Sequence, residues 1–228
     1  MTSFPKSIFK MEQAKDRTTL ILVRHGETEW NLAGRIQGYS DSRLTALGAE
    51  QGRRAAERLA ALDIVAVYAS DLGRARETGE VIAAPHGLAV QTVQELRERC
   101  YGAFEGKTAE EIRAADPHAF ETWLVDRQGL APPGGETQQE LSERVMRALG
   151  EIAGAHPGET VAVAAHGGPI KSAVFAVLEI PIGSWDRTWV SNGSVTIFRG
   201  IPGELKVVCF NDTSHLDSVV AQGKGVED

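Results

Sequence analysis

Two histidines in this chain, His25 and His166, each follow a short apolar run and each precede a glycine. The first closes the run Leu20–Val23 within TTLILVRHG, with Arg24 just before it and Thr28 and Asn31 in a polar turn just after. The second closes ETVAVAAHGG, Glu159–Gly168. Short apolar, β-branched runs fit strands buried on both faces of a parallel sheet. Strands that end in a cation, an imidazole and a residue without Cβ deliver chemistry to the carboxyl edge, where open α/β folds bind ligands. Two imidazoles with arginines, glycines and an acid nearby suit a phosphoryl group, whose charge must be neutralised while a nucleophile attacks in line. Taken singly, either histidine also fits a hydrogen-bonded structural residue at a strand end. Because both share one pattern, coincidence is the weaker account.

The elements that must position these residues alternate between strand and helix. After the first strand, Thr45 caps a helix carrying Leu47, Ala55, Leu59 and Leu62 at helical spacing. Ile64–Ala69 reads as a strand, and Ser70 and Asp71 are expected to cap a helix to about Ala84, with Arg74 in its first turn and Pro85 and Gly87 ending it. On spacing alone, Arg74 fits a surface ion pair with Glu77 or Asp71 equally well. A short strand is expected over Leu88–Val93. Capping boxes at Thr108/Glu111 and Thr137/Glu140, and Asp116 before Pro117, open three further helices. The second histidine strand, Val161–Ala165, precedes a helix from about Gly168. Ser194–Arg199 and Glu204–Phe210, around Pro202 and Gly203, read as a closing hairpin. This order predicts an α/β three-layer sandwich, a mostly parallel sheet with helices on both faces.

At 228 residues and 24.5 kDa the chain suits one core. We read residues 1–17 as an N-terminal extension, with Phe4, Ile8 and Phe9 as candidates for docking. Residues 18–228 form a single domain, with a lid-like insertion at about 95–159. No apolar run approaches the ~20 residues of a bilayer span, and the N-terminal stretch lacks the apolar core of a secretory signal, so a cytoplasmic protein is expected. Without such a signal, the acceptor patterns at Asn192 and Asn211 are expected to go unused. A net charge of −7 and a pI near 5.5 argue against nucleic acid as partner, while a local positive pocket still admits a small anion. Cys100 and Cys209 form no redox or metal-ligand pattern and read as ordinary thiols. No metal site is expected. Gly102–Thr108, GAFEGKT, is one residue short of a phosphate-binding P-loop and follows no apolar strand.

The stretch RHGETEWN, Arg24–Asn31, resembles the signature of the histidine phosphatase superfamily, also called the phosphoglycerate mutase-like family. The resemblance extends through GRIQG (Gly34–Gly38), LTALGAEQG (Leu44–Gly52), SDLGRARET (Ser70–Thr78), LRERCYGAFEG (Leu96–Gly106), PGGET (Pro133–Thr137) and AHGG (Ala165–Gly168). It implies a sheet of about six strands. It also implies His25 as the phosphorylated nucleophile, Glu98 as proton donor and His166 beside them, with Arg24, Asn31 and Arg74 binding phosphate. Thr28, Gln37, Gly38, Tyr101 and Gly167 would contact substrate. A ring nitrogen of His25 can attack if the other donates its proton to a backbone carbonyl and nearby arginines disfavour protonation. A carboxyl beside a phosphate dianion is kept protonated by like-charge repulsion, so it can serve the leaving oxygen. Without the resemblance, Glu98 reads as a solvated acid among Glu95, Arg97 and Arg99.

The function so implied is a metal-independent phosphatase of the family's phosphatase branch, hydrolysing a small phosphorylated metabolite through phosphohistidine, without a cofactor. A cofactor-dependent phosphoglycerate mutase is the alternative, and a non-catalytic phospho-ligand binding module a remoter one. Family mutases usually carry a longer insertion with adjacent arginines. Here that region offers Lys107, Arg113 and Arg127 separately, with Phe104, Phe120, Trp123 and Leu124 either facing the site or forming helix core. A pocket so built favours small or partly apolar esters and admits water.

Overall fold

In the computed structural model, which describes residues 16–126 and 129–217, the alternating order becomes one six-stranded sheet. Phe4, Ile8, Phe9 and Arg127 lie outside the described residues. In chain order the strands are β1 (Thr18–Arg24), β2 (Ile64–Ala69), β3 (Val90–Thr92), β4 (Thr160–Ala165), β5 (Val195–Ile201) and β6 (Glu204–Asp212), arranged β3-β2-β4-β1-β5-β6. The first four run parallel. The closing hairpin β5–β6 adds antiparallel to β1. The third strand is shorter than expected, because Gly87 turns left-handed at φ 65° and the chain reaches the sheet only at Val90.

Helices α1 (Glu29–Leu32), α2 (Ala46–Leu59), α3 (Gly73–Ala83), α4 (Ala109–Ala115), α5 (Pro117–Val125), α6 (Gln138–Ala155) and α7 (Gly167–Val177) complete the chain. Strand side chains alternate between faces, and β1 divides its residues accordingly. Leu20 and Leu22 pack with Leu141, Val145 and Leu149 of α6 and Ile170 and Val174 of α7. Ile21 and Val23 pack with Ala55 and Leu59 of α2 and Ile82 of α3. Each fully buried leucine or isoleucine stabilises this arrangement by about 1.5–3 kcal/mol. The expected three layers are therefore present. Within residues 95–159, α4 and α5 form a small separate cluster of Phe104, Ile112, Phe120 and Trp123, whereas α6 belongs to the main sandwich.

The expected caps at Thr45, Thr108, Asp116 and Thr137 are all formed. The cap of α3 is different. Its N-cap is Leu72, Asp71 is engaged by Arg97, and the free amides of Gly73 and Arg74 donate instead to Asp41, a carboxylate from a distant loop. A local pattern could not show this, because the capping group lies more than thirty residues away in sequence.

Candidate active site

The β1–β4 register sets the site. Arg24 lies beside Ala165, and the ladder continues one step as the His25 amide donates to the Ala165 carbonyl at 2.9 Å. The next residue of each strand is a histidine, and the rings of His25 and His166 sit 5.1 Å apart at the carboxyl edge. A one-residue slip would send them to opposite faces. The glycine after His25 is required by packing. A Cβ on Gly26 would fall 2.0 Å from the Gly48 carbonyl oxygen, so the strand end rests directly on the first turn of α2.

Nδ1 of His25 lies 2.7 Å from the Gly26 carbonyl oxygen, which can only accept, so Nδ1 carries the proton. Nε2 is left with its lone pair, 3.3 Å from Nε of Arg74, which donates to it. Burial first, then the charges of Arg74 and Arg24, hold His25 well below its ordinary pKa, keeping the ring neutral. His166 is held down likewise, by burial and then by Arg74. His166 is fully buried and neither of its ring nitrogens has a hydrogen-bond partner. Few buried polar groups in a folded protein are left without a partner.

Arg74 is not on the surface. It is buried, with Nη1 donating to Asp41 at 2.9 Å and to the Ser40 carbonyl at 2.8 Å, and Nη2 to the Gly38 carbonyl at 2.9 Å. The surface pairing with Glu77 or Asp71 is thereby replaced. Arg24 reaches the Val190 carbonyl and lies against Gly167. Asn31 accepts through Oδ1 from the Thr28 amide, the Thr28 hydroxyl and Asn192, leaving its Nδ2 as the group able to serve the cleft. Glu98 accepts from the amides of Arg99 and Gly168, at 2.8 and 3.1 Å.

A cleft of about 400 Å³ brings together Arg24, His25, Asn31, Gln37, Gly38, Arg74, Glu98, Tyr101 and Gly167, while His166, outside that lining, meets the His25 ring edge-on. That volume suits a small molecule. Thr28 does not reach the cleft. It is fully buried and is not among the residues lining the cleft, and its hydroxyl caps α1 by accepting from the Asn31 amide. Phe104 and Phe120 are core of the α4–α5 unit; of the four aromatic and aliphatic lid residues only Trp123 borders the cleft.

Sequence reasoning passed over Arg35, Ile36, Lys171, Trp185, Trp189 and Val190, which also line the cleft. Arg35 and Ile36 lie inside the GRIQG block, and Lys171 stands one helical turn beyond the His-Gly-Gly run. Supporting groups were also missed. Glu105 accepts from the amides of Tyr39, Ser40 and Tyr101, and so fixes the loop that holds Arg74. Arg144 gathers the carbonyls of Glu95, Arg97 and Glu98 and pairs with Glu136 at 2.5 Å, which holds the backbone that carries Glu98. Asn192 donates to the His25 carbonyl at 3.1 Å.

The fold and cleft define a three-layer α/β protein with paired histidines, the buried Arg74 and the half-buried Arg24 at the carboxyl edge of its sheet. The chain belongs to the histidine phosphatase superfamily, branch 1, whose family model matches residues 20–213. Among curated relatives it is 36% identical over 206 residues to phosphoglycerate mutase-like protein 4 of Arabidopsis thaliana, covering 89% of this chain and 88% of that one. It is also 36% identical over 208 residues to the metal-independent phosphoserine phosphatase of the same plant, covering 89% and 84%. Among solved structures, YhfR of Bacillus stearothermophilus aligns with a TM-score of 0.82 at 37% identity, covering 88% of this chain and all of that one.

Proposed function

We propose that this protein is a phosphatase that hydrolyses a small phosphomonoester through a phosphohistidine on His25, without a metal ion. The observation that carries the reading is the state of His25: Nδ1 tied to the Gly26 carbonyl, Nε2 open beside Arg74, and an unpartnered His166 alongside. Nε2 attacks phosphorus as the ester oxygen leaves. Glu98 gives that oxygen a proton. Arg24, Arg74 and Asn31 meet the phosphoryl oxygens, Arg74 with the one Nη2 hydrogen that His25, Asp41, Ser40 and Gly38 leave it. Water then attacks the phosphohistidine, Glu98 takes back a proton, and phosphate leaves with the Nε2 lone pair restored. Gln37, Gly38, Tyr101 and Gly167 line the path of the ester. The phosphoserine phosphatase relative supports hydrolysis.

The mutase-like relative at equal identity supports a second reading, transfer of phosphate between hydroxyls of one acid. That reaction needs water excluded while a doubly anionic product reorients. A screen of phosphorylated metabolites in chelator-treated buffer, scoring both free phosphate and isomerised product, separates the two. Phosphate release above isomerisation, even with bisphosphoglycerate supplied, is the expected result. Isomerisation far above release would transfer the protein to the mutase reading.

A further inference from the structure

The sequence leaves Asn192 and Asn211 as acceptor patterns without a use, and the structure engages both side-chain amides behind the end of β1. Asn192 lies in the loop leading into β5, and Asn211 near the end of β6. Nδ2 of Asn192 donates to the His25 carbonyl at 3.1 Å and to Oδ1 of Asn31 at 3.3 Å, so its two hydrogens meet two acceptors. Neither amide can be turned round. The His25 carbonyl only accepts, which puts the nitrogen of Asn192 against it, and the Thr28 amide only donates, which puts Oδ1 of Asn31 against that.

The same loop holds the rest of the strand end. The Gly193 amide donates to the carbonyls of Arg24 and His25 at 3.1 and 3.3 Å, the Arg24 amide donates to the Ser194 carbonyl at 3.1 Å, and Nη1 of Arg24 reaches the Val190 carbonyl. The His25 amide is already bound to Ala165. Both main-chain groups of His25 are thus fixed, one by β4 and the other by Asn192 and Gly193. The loop is held in turn from β6 and beyond it. Oδ1 of Asn211 accepts from the Ser191 amide at 2.7 Å, and Nε2 of His215 donates to the Gly193 carbonyl at 3.0 Å. Asn211 sits at φ 53°, a left-handed backbone that asparagine tolerates better than most residues and that persists where the surroundings impose it.

On the phosphohistidine reading given above, we infer that Asn192 is a positioning residue for phosphoryl transfer. It is not among the residues lining the cleft and acts through two that are. Its single amide group ties the main chain of the nucleophile to the side chain of Asn31. Phosphorus must meet Nε2 of His25 in line while a phosphoryl oxygen meets Nδ2 of Asn31, and the link keeps those two nitrogens at a fixed separation before substrate arrives.

Asn192→Leu tests this, because it keeps the size and neutrality of the side chain and removes both donated bonds. With a radiolabelled aryl phosphate, rapid quenching should show labelling of His25 slowed about 10–100-fold, with the loss chiefly in kcat, the scale of displacing a reacting group by up to about 1 Å. In an Asn31→Ala background the same substitution should cost clearly less, because half of the link is already gone. Asn211→Gly suits the left-handed backbone, leaves Asn192 in place and frees the loop one step away, so it should lower kcat in the same sense by a smaller factor. Where Asn192→Leu fails to fold, Asn211→Gly decides in its place, and a wild-type rate there overturns the inference. So does labelling in folded Asn192→Leu within about twofold of wild type, or a double-variant loss equal to the product of the single losses. Wild-type protein that releases phosphate with His25 unlabelled would instead remove the phosphohistidine reading, and this inference with it.

Discussion

Replacing Gly168 by alanine should disable proton donation while leaving the fold in place. An alanine Cβ here would lie 2.1 Å from Oε1 of Glu98 and 3.3 Å from Cδ2 of Leu141. Oxygen and carbon do not approach so closely, so the carboxylate must retreat by roughly 1 Å, the scale of misplacement that costs about 10²-fold in rate. The displaced group is the end of a flexible, half-exposed side chain, so little strain passes to the core. Alanine also favours helix over glycine by up to about 1 kcal/mol, which offsets part of that strain. Gly168→Ala should therefore keep a melting temperature within a few degrees of wild type while kcat for alkyl phosphates falls about 10²-fold. Aryl phosphates, whose leaving oxygen hardly needs a proton, should lose clearly less. Glu98→Gln should reproduce the same alkyl-to-aryl contrast. Steady-state kinetics on both ester types, with calorimetry, decides the matter. Equal losses on alkyl and aryl esters, or none, would refute the placing of Glu98 beside the leaving group.

Three further expectations follow from the same geometry. Arg74→Ala should cost both ester types about 10²–10³-fold, the scale of losing a preorganised charge-stabilising donor, and a near-normal rate would show that the buried guanidinium does not meet the phosphoryl group. Arg144→Met should destabilise the protein by about 3 kcal/mol in urea titrations, because it strands the mostly buried Glu136 without its partner; a change under about 0.5 kcal/mol would mean that this pair is screened like a surface one. His25 and His166 are held below their ordinary value of 6.5, so below that pH the unfolded chain takes up protons that the folded chain refuses. Stability should be full above about pH 6.5 and fall as the pH drops toward the folded-state values, by up to about 1.4 kcal/mol per pH unit for each histidine. Denaturation curves between pH 7.5 and about 5.5 check the sign, and constant or rising stability on acidification would contradict it.

Much of the frame was legible because it rests on local rules. The unbroken apolar run Leu20–Val23, the Thr-x-x-Glu caps and the Pro-Gly turn of the last hairpin each act within a few residues. The two His-Gly strand ends were legible for the same reason, and the parallel register then placed them side by side. What was not legible depends on contacts distant in sequence. Asp41 caps α3, Arg144 grips the Glu98 loop, and Thr28 turns inward because Asn31 and Leu44 close over it. Phe104 and Phe120 were ambiguous from their periodicity, since a helix buries one face whether it covers a ligand or a neighbour. Lys171 is the instructive omission. Its helical phase with Gly167 was readable, but only its burial beside Trp185 and its bond to the Thr188 carbonyl, seen after folding, distinguish it from an ordinary surface lysine.

The central claim is that His25 carries the phosphoryl group, and rapid quenching of the chelator-treated protein with radiolabelled phosphomonoester tests it most directly. A label that is acid-labile and base-stable, maps to the peptide containing His25, and forms and decays at rates competent for turnover is the expected result. His25→Ala should abolish both label and turnover. Label persisting on that variant, or turnover that requires an added divalent metal ion, would contradict the account.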